Sequence, residues 1–282
     1  MKDFNFKIPQ NIIFGKGSLS RLPEILEEAG CKRVFLVSDH GLKGVGLVDK
    51  VAKIIVDAGL EFTEFLDLQA NPTLDNVNDA LEMFNASGAE SIIALGGGGP
   101  MDVAKAVALL TTHGGELIDY AGLGKVPGPV VPMIAIPTTA GSGSEVTAGT
   151  VITDPVTNFK MAAMSYYLIP DYALLDPEMI MTLPAGIAAA CGVDAFIHAL
   201  EAYLSKAGNP FTDAMAEKAM ELLGGNIRQF VASRDNEEAA CNMMLGSTLA
   251  GIAFAWAKLG NIHAMSHPVS GFFGIAHGVA NA

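Results

Sequence analysis

The chain has 282 residues, of which 50% are hydrophobic and 17% are charged, with 30 acidic residues against 17 basic ones. The resulting net charge of −13 disfavours nucleic acid and anionic membranes as partners, because phosphate groups and anionic lipids are not attracted to an acidic protein. Three widely spaced cysteines, an N-terminus without a signal-peptide core and the lack of a long apolar run predict a soluble cytoplasmic protein with a small-molecule substrate.

The first half of the chain alternates short apolar runs with amphipathic helical patterns. Strands are predicted over 33–39, around 61–67, over 90–96 and over 133–137. Helices are predicted between and before them, over 20–30, 47–59, 76–88 and 100–112. Strands that alternate with helices of this length indicate an α/β domain with a parallel sheet.

After about residue 183 the strand-like runs disappear. Helical stretches rich in alanine, methionine and leucine follow, over 187–205, 212–227 and 237–260. We therefore predict an α/β domain over 1–183 and an all-α domain over 184–282.

A run of four glycines, 96–99, follows a predicted strand and precedes a helix whose first turn holds Pro100 and Asp102. Successive glycines let backbone N–H groups approach an anion, and the start of the helix adds a favourable dipole. The usual dinucleotide fingerprint is nevertheless absent, since there is no GxGxxG and the acidic strand end, Asp39, precedes the loop. Asp39 is interpreted either as a ligand of a ribose hydroxyl or as a cap of the next helix.

A second loop of small residues, 138–145, follows the strand over 133–137. Its hydroxyl groups and backbone amides suit a phosphate, and the alternative is an ordinary turn of small residues. Two such loops at the strand ends of one sheet favour a phosphate site. Val151 and Phe254 suggest an apolar substrate lining, whereas Trp256 is expected to pack in the core.

Four histidines have the spacing of metal ligands. His198 comes four residues after Asp194, His263 and His267 are also four apart, and His277 follows. Side chains four residues apart on a helix point the same way and can bind one cation together. The alternative is that each is an ordinary helix-face or loop histidine, which is the interpretation that we give to His40 and His113.

Several segments together resemble the iron-dependent (group III) alcohol dehydrogenases, which are related in fold to dehydroquinate synthase. These segments are GGGGPMDVAK, AIPTTAGSGSEVT, CGVDAFIHALEAY and HAMSHPVSGFFGIAHGVANA. The resemblance implies an NAD-binding N-terminal domain, a helical metal-binding domain and a divalent metal, Fe²⁺ or in some members Zn²⁺, in the cleft between them. It implies a homo-oligomer that transfers a hydride reversibly between a primary alcohol or short diol and NAD, giving the aldehyde.

The resemblance also assigns individual residues. The implied metal ligands are Asp194, His198, His263 and His277, and His267 lies beside the metal as a candidate for proton transfer. Asp39 matches the acidic position for the adenosine ribose. The implied contacts to the rest of the cofactor come from Gly97, Gly98, Gly99, Asp102, Thr138, Thr139, Ser142 and Lys160.

The chain departs from the family pattern at three places. Gly99 stands where a serine is usual, Ser142 stands where a threonine is frequent, and family members continue with further helices after GVANA. The helical domain is therefore expected to be incomplete relative to the family, with weakened activity and increased association. Two alternatives to the dehydrogenase are a lyase or cyclase of the dehydroquinate synthase kind and a truncated protein that binds metal or nucleotide without turnover.

Overall fold

A computed structural model describes residues 3–69, 71–157 and 159–282 of the chain. The chain forms two compact units, which we call the sheet unit and the helical unit. The sheet unit consists of Gln10–Pro137 and Ala148–Asp176, and the helical unit of Met1–Pro9, Thr138–Thr147 and Pro177–Ala282. The single domain boundary near residue 183 stays a prediction.

Nine strands lie in the described part of the sheet unit. In chain order they are β1 Asn11–Phe14, β2 Arg33–Val37, β3 Glu61–Phe65, β4 Ser91–Gly96, β5 Gly122–Leu123, β6 Met133–Pro137, β7 Gly149–Thr153, β8 Lys160–Met164 and β9 Tyr172–Leu175. Six form a parallel sheet in the order β1-β9-β6-β4-β2-β3, and the other three form a small sheet in the order β5-β8-β7. All residues of the central strands β4 and β6 are buried, as expected for a parallel sheet that is covered on both faces.

Ten α-helices lie within the described residues. They are α1 Leu22–Glu28, α2 His40–Gly44, α3 Leu47–Asp57, α4 Leu74–Ser87, α5 Gly98–His113, α6 Ala185–Leu204, α7 Pro210–Ala232, α8 Glu237–Ala257, α9 Asn261–Phe273 and α10 His277–Ala280. Local sequence explains several helix starts. Thr73 and Asn76 form a reciprocal cap at the start of α4, and Asn209 caps α7 directly before Pro210.

The helices α6, α7 and α8 pack against one another in the helical unit. By length and composition α6 and α8 are apolar enough to cross a membrane. Glycines nevertheless bring them close to their neighbours, because a Cβ at Gly192 would lie 2.7 Å from Ile227 and one at Gly246 would lie 2.8 Å from Leu223. Close packing through glycine occurs between helices in soluble cores and in membranes alike, and core helices of soluble proteins meet the same length and composition criteria.

Large apolar side chains are exposed on α9 and just after it. Phe272 and Phe273 are each 76% exposed, Met265 is 65% exposed and Ile275 is 40% exposed. Contiguous exposed apolar side chains mark contact surfaces more often than solvated helix faces. The end of the helical unit therefore carries an apolar surface beside its histidines.

The predicted fold class, a parallel α/β region followed by a helical half, is confirmed. The strands predicted over 33–39, 61–67, 90–96 and 133–137 are β2, β3, β4 and β6. The sequence analysis did not predict β1, β5, β7, β8 or β9. Periodicity fails at β5 because it has only two residues, and at β8 because Lys-Met-Ala-Ala-Met is equally compatible with a helix.

Candidate metal and cofactor sites

Helix α6 carries Asp194, His198 and Glu201 on one face. Their spacing of four and then three residues places them on successive turns of the same side. All three are buried, with exposed fractions of 7%, 5% and 6%. Because buried ionisable groups are costly without partners, this face requires polar groups from neighbouring elements.

Helices α9 and α10 supply those partners. Asp194 Oδ1 lies 3.6 Å from His198 Nε2, 3.5 Å from His263 Nε2 and 3.7 Å from His277 Nε2. The ligand atoms of Asp194, His263 and His277 all lie within 4.8 Å of one another. The structure thus brings the four predicted metal ligands together around one carboxylate oxygen.

The protonation states of Asp194, His198 and His277 suit a cation. Burial alone would raise the pKa of Asp194. The neighbouring His198, His263 and His277 have the larger effect and lower this pKa to about 2. Burial lowers the pKa of His277 to about 4 and also lowers the pKa of His198. Burial lowers the pKa of His263 as well, but Asp194 and Glu201 raise it more, so that a cation competes with a proton at this ring. Ionised carboxylates and neutral imidazoles are the forms that bind metal.

The donor set fits a divalent transition metal. Imidazole nitrogen suits iron and zinc, and one carboxylate among three imidazoles supplies a compensating negative charge. Asn281 also reaches this group, because its Nδ2 donates to Asp194 Oδ1 at 2.6 Å and lies 3.3 Å from His263 Nε2. Asp194, His263 and His277 thus form a group that could hold such an ion, and His198 lies next to Asp194 Oδ1 as a further candidate ligand.

His267 lies beside this group. Its ring centroid is 5.7 Å from that of His263 and 5.0 Å from that of His277, and its side chain is exposed. Phe254 borders the group on another side, with its ring stacked on His198 at a centroid distance of 4.4 Å. His267 is thus placed next to the ligands and within reach of solvent.

A glycine allows α10 to approach α6. A Cβ on Gly278 would lie 2.0 Å from the carbonyl oxygen of Ala190 and 2.5 Å from its carbonyl carbon. Those atoms belong to the backbone of α6 and cannot turn aside as a flexible side chain does. The missing side chain at position 278 therefore fixes the position of the adjacent ligand, His277.

The sheet unit has a topological switch point between β2 and β4. Strand β3 lies on one side of β2, whereas β4, β6 and β9 follow in order on the other side. Open parallel sheets bind ligands at the carboxyl ends of the strands at such a point. Asp39 follows β2 and Gly97 follows β4, so two predicted cofactor positions flank the switch point.

The glycine loop leads directly into a long helix. Gly97 is the N-cap of α5, and Gly98 and Gly99 form its first turn, all three partly exposed. Gly96 has a φ of +155°, and a Cβ there would lie 2.5 Å from Pro100 Cγ. The first-turn N–H groups of a helix have no partner within the helix and attract phosphate, so the local structure suits a pyrophosphate.

Asp39 acts as a helix cap in the structure. Its Oδ1 accepts a hydrogen bond from the backbone N–H of Leu42 at 2.9 Å, at the start of α2. The capping interpretation is thereby confirmed. A contact with ribose stays a prediction, and the two roles are compatible because a carboxylate has two acceptor oxygens.

Asp102 and Lys160 interact in the sheet unit. Asp102 Oδ2 accepts from the backbone N–H of Val151 at 3.3 Å, and its carbonyl oxygen accepts from Thr150 Oγ1 at 2.7 Å. Burial lowers the pKa of Lys160, while Asp102 opposes that shift. The structure therefore joins the N-terminal part of α5 to strands β7 and β8, where the predicted site residues Val151 and Lys160 lie.

The second small-residue loop belongs to the helical unit. Thr138 is buried, Thr139 is partly buried, and Ser142 Oγ accepts from the Ser144 backbone N–H at 3.3 Å. Gly143 has a φ of +63°, and a Cβ there would lie 2.7 Å from the Cα of Gly251 on α8. Close packing against α8 accounts for part of this composition, and the cofactor contacts of Thr138, Thr139 and Ser142 stay predictions.

The sequence reasoning missed two residues of the histidine cluster. Glu201 binds His263 Nδ1 at 2.7 Å, and Asn281 binds Asp194. Both carried a recognisable signal, since Glu201 lies seven residues after Asp194 and Asn281 four residues after His277. Extending the same helical periodicity by one more turn would have found them.

Family comparisons agree with this geometry. The family model "Iron-containing alcohol dehydrogenase" matches residues 9–177, and "Fe-containing alcohol dehydrogenase family, C-terminal" matches residues 188–282. Alcohol dehydrogenase 4 of Schizosaccharomyces pombe is 42% identical over 277 residues, which cover 98% of this chain. The chain spans 66% of the length of that relative.

Solved structures show the same fold. The crystal structure of a 1,3-propanediol oxidoreductase matches with a TM-score of 0.97 at 39% identity, covering 99% of this chain and 73% of that one. A sulfoacetaldehyde reductase from Bifidobacterium kashiwanohense, solved in complex with NAD⁺, matches with a TM-score of 0.92 at 32% identity, covering 100% of this chain and 74% of that one. From its two family-model matches and these relatives, the chain belongs to the iron-containing alcohol dehydrogenase family.

Proposed function

We propose that the chain is a soluble, cytoplasmic, homo-oligomeric and metal-dependent dehydrogenase, which transfers a hydride reversibly between a primary alcohol or short diol and NAD. The observation that carries this proposal is the buried carboxylate of Asp194, which faces the Nε2 atoms of three histidines. Family membership makes Fe²⁺ the expected ion, and Zn²⁺ is the alternative that the same donors accept.

The proposed ligands are Asp194, His198, His263 and His277. When bound there, a divalent cation supplies Lewis-acid polarisation of the substrate oxygen. The chain supplies the charge balance, because one ionised carboxylate accompanies imidazoles that burial keeps neutral at His198 and His277. Val151 and Phe254 are proposed to line the substrate site, and their apolar side chains favour short, weakly polar alcohols.

The proposed NAD site begins at the switch point of the sheet. Gly97, Gly98 and Gly99 would bind the pyrophosphate through the start of α5, and Asp39 would bind the adenosine ribose. Bound NAD supplies the hydride chemistry, while the protein supplies its position. The remaining proposed contacts are Asp102, Thr138, Thr139, Ser142 and Lys160. The NAD⁺ bound by the sulfoacetaldehyde reductase supports this choice of cofactor.

Asp39 is expected to select NAD over NADP. Asp39→Asn keeps an oxygen that can cap α2 but removes the negative charge that repels a 2′-phosphate. We expect kcat/KM with NADP, divided by kcat/KM with NAD, to rise about tenfold. A hydrogen bond to a charged group is worth about 1.5 kcal/mol or more, and about 1.4 kcal/mol corresponds to a factor of ten. Steady-state kinetics with both cofactors measure it, with Asp57→Asn at the exposed end of α3 as the control. An unchanged ratio would remove Asp39 from the site.

His267 is proposed to pass the alcohol proton to solvent. His267→Ala is expected to lower kcat by up to about 10²-fold, which is the lower end of what a positioned acid–base group contributes. The pH profile of kcat should change as well. Metal content should stay the same, because His267 is proposed to lie beside the ligands, with its ring centroid 5.7 Å from that of His263, and not to be one of them. If both the rate and the pH profile were unchanged, this role would be wrong.

One experiment separates this function from the alternatives. The chain is purified anaerobically, its metal is quantified, and NADH formation is followed with ethanol, butanol and 1,3-propanediol after Fe²⁺ or Zn²⁺ is restored. A dehydrogenase forms NADH with at least one alcohol and only in the presence of metal. A protein that only binds metal or nucleotide retains the ion and forms no NADH, and that result would overturn the proposal.

A further inference from the structure

Glu201 is a buried carboxylate beside the metal site that the proposed chemistry does not yet use. It is only 6% exposed and lies on the same face of α6 as Asp194 and His198. Its two oxygens accept three hydrogen bonds, from the Gly260 N–H at 2.9 Å, from the Ile262 N–H at 2.6 Å and from His263 Nδ1 at 2.7 Å. A buried charge with this many donors is held in one position.

Two of these hydrogen bonds fix the start of α9. The N-cap residue Gly260 has no side chain to satisfy the first N–H groups of the helix, and the carboxylate of Glu201 does so from α6. A negative charge at this end is also favoured by the helix dipole. A Cβ at position 260 would lie 2.9 Å from Glu201 Oε1, so the glycine makes room for the carboxylate.

The third hydrogen bond determines which nitrogen of His263 carries the proton. An ionised carboxylate can only accept, so the short contact at 2.7 Å requires Nδ1 to donate. The two backbone N–H groups that also point at these oxygens show that the carboxylate serves as an acceptor on all three sides. In the neutral ring Nε2 then has the free lone pair, and this is the atom that lies 3.5 Å from Asp194 Oδ1.

We infer that Glu201 is a positioning residue of the metal centre, which holds His263 in the orientation and tautomer that present the Nε2 lone pair to a divalent cation. The inference rests on the proposed metal-binding function. Histidine ligands generally donate their second ring N–H to a carboxylate or carbonyl, and loss of such a partner lowers metal affinity about 10- to 100-fold. Here the same carboxylate also fixes the helix that carries the ligand.

The test compares Zn²⁺ affinity and ring protonation in matched variants. Glu201→Leu removes every acceptor at similar size, and Glu201→Gln keeps one oxygen. Glu221→Leu and Glu221→Gln are the controls, because Glu221 is an exposed residue of α7 paired with Lys218. Zn²⁺ is titrated against a competing indicator. In the chelated chain, ¹⁵N NMR of the histidine rings reports the tautomer of His263 at a pH high enough for the ring to be neutral, because the pKa of this ring is raised.

We expect Zn²⁺ affinity to fall about 10- to 100-fold in Glu201→Leu, to fall less in Glu201→Gln and to stay unchanged in both Glu221 variants. The unsubstituted chain should carry the His263 proton on Nδ1, and Glu201→Leu should lose that preference. The tautomer of the unsubstituted chain is informative even if Glu201→Leu does not fold.

Two results would overturn the inference and leave the metal site intact. One is equal Zn²⁺ affinity in the Glu201 and Glu221 variants. The other is a wrong tautomer of His263: a proton on Nε2 in the unsubstituted chain, or a proton that stays on Nδ1 in Glu201→Leu. In either case the carboxylate of Glu201 would only stabilise the start of α9. An unsubstituted chain that binds no Zn²⁺ or Fe²⁺ would instead refute the proposed metal function, and the inference with it.

Discussion

Replacing Asp194 by asparagine is expected to lower Fe²⁺ affinity more than tenfold and to reduce alcohol oxidation about 10²- to 10³-fold. Lewis-acid stabilisation is worth several kcal/mol, and each 1.36 kcal/mol of activation free energy is a factor of about ten in rate. Asp194 Oδ1 is the atom around which His198, His263 and His277 converge, and its ionised form balances the charge of the cation. Metal titration and steady-state kinetics measure the two effects.

The matched control removes one negative charge from the same helical unit. Glu221→Gln changes an exposed carboxylate whose partner is Lys218, and we expect it to leave affinity and rate unchanged. Exposed ion pairs contribute little to stability, so the control should also fold normally. An Asp194→Asn chain with the metal affinity and rate of this control would refute the proposed ligand set.

Substitution of Gly278 by alanine is expected to destabilise the chain and weaken metal binding together. The new Cβ would lie 2.0 Å from the carbonyl oxygen of Ala190, so α10 must move away from α6. Overpacking typically costs about 1–3 kcal/mol, and contact with backbone places this case at the upper end. His277 precedes Gly278 directly, so its Nε2 should leave the ligand group. Urea unfolding and Fe²⁺ titration measure the two losses.

Gly225→Ala provides the comparison for this variant. Gly225 lies inside α7, and a Cβ there meets nothing within 4 Å. Alanine is a better helix former than glycine, so we expect a gain in unfolding free energy of up to about 1 kcal/mol and unchanged metal affinity. Equal stability of the Gly278 and Gly225 variants would show that α10 is not held by this contact.

The sheet was predictable where apolar runs were bounded by turns. β4, β6 and all of β2 after Arg33 are continuous buried runs between glycine or polar loops, which is the sequence pattern of central parallel strands. The hairpin of β7 and β8 was not predictable in this way. Its strands are not continuous apolar runs but alternate buried positions with partly or fully exposed ones. Their place in the fold also depends on tertiary contacts such as the hydrogen bond from Thr150 to Asp102.

The histidine cluster was predictable because helical spacing is visible in the sequence. Asp194 and His198, four residues apart, lie on one helix face as expected. Spacing also pointed to His263, His267 and His277, and the resemblance chose His263 and His277 as the ligands. The contact of Glu201 with His263 was not predictable in the same way, because it joins residues 62 apart in the chain. The close approach of Gly278 to Ala190 likewise depends on how α6 and α10 pack, which no local pattern specifies.

Stepwise restoration of metal is the most direct test of a metal-dependent dehydrogenase built on Asp194, His198, His263 and His277. The chain is freed of metal by chelation under anaerobic conditions and titrated with Fe²⁺ while NADH formation is followed with saturating alcohol and NAD. The rate should rise in proportion to added Fe²⁺ and level off at one ion per chain. A metal-free chain that forms NADH at the full rate would contradict the proposed metal-dependent dehydrogenase. So would a chain that binds Fe²⁺ and forms no NADH.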